Sequence, residues 1–226
     1  MFNAARRRWN ARILGVLVVN LLCGTAAATP ITYLVTVNTA TISALAGQLD
    51  FQFNPGSGAL AAFVDISSFS STGGSLSGSP TLTGGASGNL TSTVHIDNSG
   101  GLNDYLQNFT FGTALQFQVS FGGAALSSPN GTSTDTFGLA LYDPSFNPQL
   151  NDGSQGDFIV TVDVNTDGST TPHLASSPAG LVTVTQVVQT GVPEPSTWAL
   201  CVIGLAGIAT WRRRRCRAGL HPATDL

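Results

Sequence analysis

The sequence predicts an all-β protein, an antiparallel β-sandwich of which a jelly roll is one form, between two apolar end segments. Large apolar residues alternate with polar ones, as in residues 49–53 and 115–121, which is the period of a half-buried strand. Gly, Ser, Asn, Asp and Pro separate these runs, as turns require. No amphipathic helical pattern competes outside the two ends. These observations favour a sandwich over an up-and-down barrel or a β-helix.

The alternating runs define the candidate strands in chain order. Each is rich in β-branched or aromatic residues and is bounded by turn residues. The candidates span 31–38, 49–53, 59–69, 90–97, 105–111, 115–121, 136–142, 157–164 and 181–189. Ser, Thr and Gly dominate between residues 67 and 93, so we expect a long flexible loop or a weak edge hairpin there.

The charges divide the chain into a body and two ends. All nine arginines lie in the ends and there is no lysine, whereas the stretch 29–192 contains ten aspartates and no basic side chain. Its formal charge is therefore −10, against −3 for the whole chain. Such a body repels nucleic acids, so nucleic-acid binding is excluded, and it attracts divalent cations or basic partners. The three cysteines also lie in the ends, which leaves the body without disulfides and dependent on its core.

The N-terminal end is typical of a secretory signal peptide. Basic residues from Arg6 to Arg12 precede an apolar run, 13–23, and a small-residue stretch that ends at Ala28. Ala26 and Ala28 are the small residues that signal peptidase prefers before its cut. We therefore expect residues 1–28 to be removed by signal peptidase during export across the inner membrane.

The C-terminal end contains a Pro-rich tetrapeptide, an apolar run and a basic cluster. The tetrapeptide is Val192, Pro193, Glu194 and Pro195, and its prolines keep the chain out of helix and sheet. A helix from Thr197 to Trp211 would be about 22 Å long, which is short for a bilayer. Tryptophans near both ends of this segment are typical of anchors at the membrane interface, and so is the basic cluster that follows it, Arg212, Arg213, Arg214 and Arg215. We therefore expect a membrane helix whose insertion ends at these arginines.

This combination of tetrapeptide, short apolar helix and arginine cluster resembles the PEP-CTERM sorting tail. The resemblance implies an exported protein of a Gram-negative bacterium, anchored transiently in the membrane and then placed at the cell surface or outside the cell. It also implies exosortase as the processing enzyme and exopolysaccharide as a possible partner. The expected organisation is a signal peptide at 1–28, an acidic β domain at 29–191, the sorting tail at 192–215 and an extension at 216–226.

One motif in the body suggests a metal. Asp163, Asn165 and Asp167 occupy alternate positions followed by Gly168, the spacing at which oxygen ligands converge on Ca²⁺. The twelfth position is Leu174 and a strand precedes the motif, so an EF-hand is excluded. The same residues are typical of a hairpin turn, and both interpretations stay open.

The residue inventory gives little support for catalysis. The body lacks Cys, Lys, Arg and Glu, and its His95 and Asp97, which share a strand face, have no nucleophile motif beside them. We therefore expect no enzyme and no obligatory cofactor, but a structural or interaction protein associated with exopolysaccharide or biofilm. The alternative is a carbohydrate- or calcium-binding module, in which Tyr33, Tyr105 and Tyr142 replace the missing tryptophans as sugar platforms.

Overall fold

The computed structural model describes residues 30–176, 180–188, 204, 207 and 208. The chain divides into two compact units, residues 1–188 and 189–226. The described part of the first unit is almost entirely antiparallel β-structure in two sheets, as the sequence predicts. Its two short helical turns are a 3₁₀ turn at Ala40–Ile42 and helix α1 at Ala124–Ser127.

The first sheet contains six strands. They are β1 (Ile31–Asn38), β3 (Ala62–Thr72), β6 (Ala86–Gly88), β7 (Thr93–Asp97), β9 (Ala114–Gly123) and β13 (Val182–Val187). Their spatial order is β13-β1-β9-β3-β7-β6. The β1–β9 ladder is continuous from Ile31 opposite Phe121 to Asn38 opposite Ala114, so two of the predicted strands lie side by side.

The second sheet contains seven strands. They are β2 (Ala46–Pro55), β4 (Ser75–Leu76), β5 (Thr81–Thr83), β8 (Asp104–Thr110), β10 (Asp135–Tyr142), β11 (Phe158–Val164) and β12 (Thr170–Leu174). Their order is β12-β11-β10-β2-β8-β4, and β5 also pairs with β8. The hairpin β11–β12 turns at Asn165–Gly168, where Gly168 has φ of +81° and its N–H bonds to the carbonyl of Asn165.

The core lies between the two sheets and is mainly aromatic and β-branched. Phe51 on β2 meets Phe117 on β9 edge to face, with ring centroids 5.2 Å apart. Phe121 on β9 makes a similar contact with Phe137 on β10 at 6.0 Å. All four rings are fully buried. Burial of each is worth about 1.5–3 kcal/mol, and the edge-to-face geometry adds to it, so the alternating phenylalanines join the sheets.

The Ser/Thr/Gly-rich segment crosses from one sheet to the other. Its first strands, β4 and β5, pair with β8, and β6 then pairs with β7. The segment thus covers neighbouring edges of both sheets. Leu90, near its end, is 3% exposed, and its N–H bonds to the buried hydroxyl of Tyr105. The expectation of a long flexible loop is therefore wrong, and the weak edge hairpin is the nearer description.

Most predicted strands are present with shifted ends. The run predicted at 59–69 is β3 at Ala62–Thr72, and the run predicted at 90–97 is β7 at Thr93–Asp97. Strand β12 was not predicted, because Pro172 and His173 interrupt its apolar pattern. Pro172 is tolerated because β12 lies at the edge of its sheet.

The second unit is described at three positions, Gly204, Gly207 and Ile208, which are helical and exposed. The expected signal peptide at 1–28, the sorting tail apart from these three residues, and the extension at 216–226 lie outside the described residues. Among the residues that are described, no helix combines the length and the apolar character needed to cross a membrane.

Candidate functional site

The outer face of the second sheet carries a row of one aromatic and two amide side chains. Tyr142 on β10 lies opposite Gln48 on β2, and Gln48 lies opposite Asn108 on β8. The neighbouring Leu49 and Phe109 point into the core, so alternation directs Gln48 and Asn108 outward. Nε2 of Gln48 donates a hydrogen bond to Oδ1 of Asn108 at 3.3 Å. Three adjacent strands therefore present one continuous polar row.

An open groove of about 310 Å³ runs beside this row. Its lining includes Gln48, Ser77, Asn108, Thr110 and Pro144. Oε1 of Gln48 is buried and receives no hydrogen bond from any residue in 30–176 or 180–188. The groove thus combines amide and hydroxyl groups, a set that suits a ligand rich in hydroxyl groups.

The loop after β10 places an exposed aromatic ring next to the row. Phe146 is 57% exposed, and its ring centroid lies 6.0 Å from that of Tyr142 at an angle of 51°. Its φ of +62° is in the left-handed region, which a bulky side chain rarely adopts. A conformation of this kind costs on the order of 1–3 kcal/mol and persists only where the surroundings enforce it.

Asp143 enforces that conformation. Its Oδ1 accepts hydrogen bonds from the N–H groups of Ser145 and Asn147 at 2.8 and 2.9 Å, and its Oδ2 accepts one from Nδ2 of Asn147 at 2.8 Å. These bonds lower the pKa of Asp143, with those from Asn147 the largest cause. The N–H of Phe146 closes the turn on the carbonyl of Asp143 at 3.0 Å. An ionised Asp143 therefore fixes the turn that displays Phe146.

A pair of carboxyl groups lies on the same face of the sheet, further along β2 and β8. Asp50 is 5% exposed, and Asp104 is its diagonal neighbour, because Asp104 lies opposite Gln52. Nε2 of Gln52 donates to Oδ2 of Asp50 at 2.8 Å, and Nδ2 of Asn54 donates to Oε1 of Gln52 at 3.0 Å. Within the described part of the chain no N–H or O–H group of another residue donates to Oδ1 of Asp50 or of Asp104, although both atoms are buried.

Burial and the neighbouring carboxyl group shift the pKa of Asp50. Desolvation is the main cause that raises the pKa of Asp50 to about 8, and hydrogen bonding and repulsion from Asp104 add to it. A pKa of about 8 leaves Asp50 mainly protonated at neutral pH, and its O–H supplies a donor between the two carboxyl groups. The pKa of Tyr142 is raised to about 12, first by desolvation and then by repulsion from Asp50 and Asp157. Its neutral hydroxyl lies 3.3 Å from Oδ2 of Asp157.

The structure gives the three predicted calcium ligands separate hydrogen-bond partners. Oδ1 of Asp163 accepts from the hydroxyl of Thr136, and Oδ2 lies 3.2 Å from Nε2 of His173. The amide of Asn165 donates to the hydroxyls of Ser169 and Thr171. Oδ1 of Asp167 accepts from the N–H and hydroxyl of Ser169. No group of three or more His, Cys, Asp or Glu side chains within 30–176 and 180–188 could hold a metal ion. Calcium binding here stays a prediction, whereas the hairpin turn is present.

The histidine considered for catalysis has a different partner from the one that the sequence suggests. Nδ1 of His95 lies 2.7 Å from Oδ1 of Asp65 on the neighbouring strand β3. Asp97 instead accepts a hydrogen bond from the N–H of Ser99. Ser120 is opposite Asp65 on its other side. The carboxylate therefore lies between the serine and the imidazole, whereas nucleophilic triads require the imidazole in the middle.

Two of the three tyrosines considered as sugar platforms are in the core. Tyr33 is 6% exposed, and its hydroxyl bonds to Oγ1 of Thr170 in the other sheet at 2.7 Å. Tyr105 is fully buried, and its hydroxyl donates to Oε1 of Gln107 at 3.2 Å. Both are therefore wrong as platforms. Tyr142 alone of the three lies at the surface, where Phe146 accompanies it.

The predicted sorting residues and the signal cleavage site lie outside the described residues. They are Ala26, Ala28, Val192, Pro193, Glu194, Pro195, Arg212, Arg213, Arg214 and Arg215. Their assignment therefore rests on sequence alone.

Comparison with known families identifies the tail. The family model described as the PEP-CTERM protein-sorting motif matches residues 191–215, which confirms the resemblance for this segment. The match supports an exosortase-targeted protein that is exported and anchored in the membrane before it is processed to the cell surface. The chain is thus a two-sheet β protein that carries a PEP-CTERM sorting motif. No curated protein and no solved structure gave a match to it.

Proposed function

We propose that this chain is a non-catalytic surface protein that interacts with the exopolysaccharide of its host's matrix or biofilm. The sorting motif at 191–215 carries the proposal, because it supports delivery to the side of the envelope where that polymer is found. The acidic body supports it as well. With a charge of −10 it remains soluble and is not drawn onto anionic membrane surfaces.

The groove beside Tyr142 is the part of the body best suited to a polysaccharide. Sugar binding combines an aromatic ring that covers a sugar face with amide and hydroxyl groups that bond to its rim. Phe146 and Tyr142 supply the rings, and Gln48, Asn108 and Ser77 supply the polar groups that line the groove next to Tyr142. This arrangement favours carbohydrate binding over calcium binding as the specific form of the interaction.

Retention on the host's exopolysaccharide tests the proposal. The processed protein is passed over the immobilised polymer, and the retained fraction is compared with that of Phe146→Ala. We expect this variant to lose binding about five- to tenfold, because stacking on one aromatic ring is worth about 1–1.5 kcal/mol. Leu102→Ala is the matched control, since Leu102 is exposed to a similar degree, 51% against 57%, but has no aromatic ring to stack on a sugar. Lack of retention of the unmodified protein would overturn the proposal.

Mass determination of the protein recovered from its host tests the processing. Removal of the signal peptide after Ala28 and of the tail near Pro195 would leave a chain without Lys or Arg. Trypsin should then leave that chain uncut. Recovery of a form that still contains Arg212 to Arg215 would contradict processing of the tail.

A further inference from the structure

Strand β13 forms an open edge of the first sheet. It pairs with β1 along one side, with Val184 opposite Val35 and Thr183 opposite Thr36. No strand among residues 30–176 and 180–188 pairs with its other side. Its sequence, Val-Thr-Val-Thr-Gln-Val, has no charge, no Gly and no Pro. An edge with these properties is a template for another strand.

The hydrogen bonds at the start of β13 show which of its residues face outward. The carbonyl of Leu181 accepts the N–H of Asn38, so the backbone of Leu181 points toward β1. In an antiparallel pair the direction alternates at each residue. Val182, Val184 and Gln186 therefore direct their N–H and C=O groups away from β1, to the open side.

The other edges of the sandwich are blocked. The N–H of Ala175 bonds to the carbonyl of Ile159, so the same alternation turns Pro172 of β12 to the outside, where it offers no N–H. The opposite edges end in β6, with three residues, and β4, with two. Proline and short length are two common ways in which proteins prevent edge pairing. β13 is the only described edge strand of more than five residues and has neither protection.

We propose that β13 pairs antiparallel with β13 of a second copy of this chain, about a two-fold axis through Val184. In this register Val184 faces Val184 of the second copy, and Val182 faces Gln186. Every outward N–H then meets an outward C=O, because these three residues all point to the open side. Thr183 and Thr185 face each other on the outer surface, a favourable cross-strand pair. The two first sheets become one continuous twelve-stranded sheet.

The properties of β13 itself indicate that its partner is a second copy of this chain. The register is self-complementary in both backbone direction and side-chain face, as a two-fold interface requires. β13 carries no charge, so the two bodies approach along a strand free of their repelling aspartates. Since each body has a charge of −10, added salt should strengthen the association by screening the remaining repulsion.

Gln186→Pro tests the interface. The full chain in detergent micelles is measured by light scattering over a range of concentrations, and we expect a dimer that gains population with concentration and salt. Because the N–H of Gln186 points outward, proline removes it without breaking the ladder to β1, and we expect dimerisation to weaken about tenfold or more. The matched control is Leu174→Pro, which makes the same change on the outward side of β12 and should leave the dimer unchanged.

A charge pair tests the register itself. Thr183→Lys with Thr185→Lys places like charges opposite each other across the axis and should weaken the dimer, whereas Thr183→Glu with Thr185→Lys places opposite charges there and should restore it. Thr183 and Thr185 are both exposed in the monomer, so these substitutions should leave the folding of the body unchanged.

Three results would overturn the proposal. The first is a monomer at every concentration, and the second is a dimer insensitive to Gln186→Pro. The third is slow hydrogen exchange of the Val184 amide at a dilution where the chain is monomeric, because another segment of the same chain would then cover the edge.

Discussion

Asp50 and Asp104 are diagonal neighbours on the outer face of the second sheet, and neither Oδ1 receives a hydrogen bond from another described residue. A buried carboxyl group next to another acid binds a proton more tightly in the folded chain than in the unfolded one. The pKa of Asp50 accordingly rises from its ordinary value of 3.8 to about 8. Asp50 therefore links the stability of the sandwich to pH.

We expect the free energy of unfolding to fall as pH rises from about 4 to about 8. A raised folded pKa contributes stability that is fully present below the unfolded pKa and is lost as pH rises through the folded one. The slope is at most about 1.4 kcal/mol per pH unit for one proton. Urea denaturation at a series of pH values measures it. Asp97, Asp143 and Asp167 have lowered pKa values, so their contribution is instead lost below pH 3.8.

Asp50→Asn should remove most of this slope and raise stability at pH 8, because an amide has no ionised form to bury. The matched control is Asp97→Asn, which changes a carboxylate whose pKa is lowered mainly by hydrogen bonds from Ser99. That variant should keep the slope between pH 4 and 8. A variant of Asp50 with an unchanged slope would show that another group binds the proton.

Asn103 should be among the residues least tolerant of substitution. It is fully buried, and its Oδ1 accepts from the N–H groups of Gly85 and Gly100, at 2.9 and 3.0 Å. Its Nδ2 donates to the carbonyls of Phe53 and Gly100 at 3.0 and 2.9 Å. We expect Asn103→Ala to lower the free energy of unfolding by about 2–4 kcal/mol, since it leaves buried backbone groups unpaired.

Asn147→Ala is the comparison for Asn103. Its amide bonds to Asp143 at the surface, so water can replace the lost partner, and the loss should stay below about 1 kcal/mol. If urea denaturation showed the same loss in free energy of unfolding for both variants, burial of the hydrogen bonds of Asn103 would contribute nothing to stability.

The sequence predicts those parts of the fold that depend on local alternation. β1, β2 and β9 are recognisable because an apolar residue recurs at every second position, and one face of each strand packs on the core. β4, β5 and β6 are not, because they contain few apolar residues and form only against β7 and β8. Their stability comes from partners distant in sequence.

The features of the candidate site divide in the same way into those that the sequence predicts and those that it does not. The turn at Asn165–Gly168 is encoded by adjacent residues, and so is the sorting motif. The pair Asp50 and Asp104 joins two strands, and its burial depends on their register. In the sequence Asp50 is a polar position of a predicted half-buried strand, where an exposed carboxylate is expected. Phe146 was missed because its exposure and positive φ follow from the bonds of Asp143.

A calcium titration tests the predicted ligands Asp163, Asn165 and Asp167. A cation that binds only the folded chain raises its stability, by about 1.4 kcal/mol at ten times the dissociation constant. If the loop binds calcium, millimolar Ca²⁺ should raise the melting temperature, and Asp167→Asn should reduce the rise. Magnesium at the same concentration controls for screening of the acidic body. An unchanged melting temperature in Ca²⁺ would end the calcium hypothesis.

Gly112 should tolerate no side chain. It lies between β8 and β9, where the chain passes from the second sheet to the first, and its carbonyl accepts the hydroxyl of the buried Thr39 at 2.7 Å. A Cβ there would overlap the carbonyl oxygen of Thr72 and the amide nitrogen of Gly74, both backbone atoms that cannot rotate away. We expect Gly112→Ala to destabilise the fold by about 2 kcal/mol or more.

Gly101 provides the contrast, because a Cβ at this position meets nothing within 4 Å. Gly101→Ala should change stability little or raise it by up to about 1 kcal/mol, since alanine restricts the unfolded chain. Thermal unfolding of the two variants measures the difference. If both alanine variants changed stability by the same amount, the close contact of Gly112 with Thr72 and Gly74 would not be what excludes a side chain at this position.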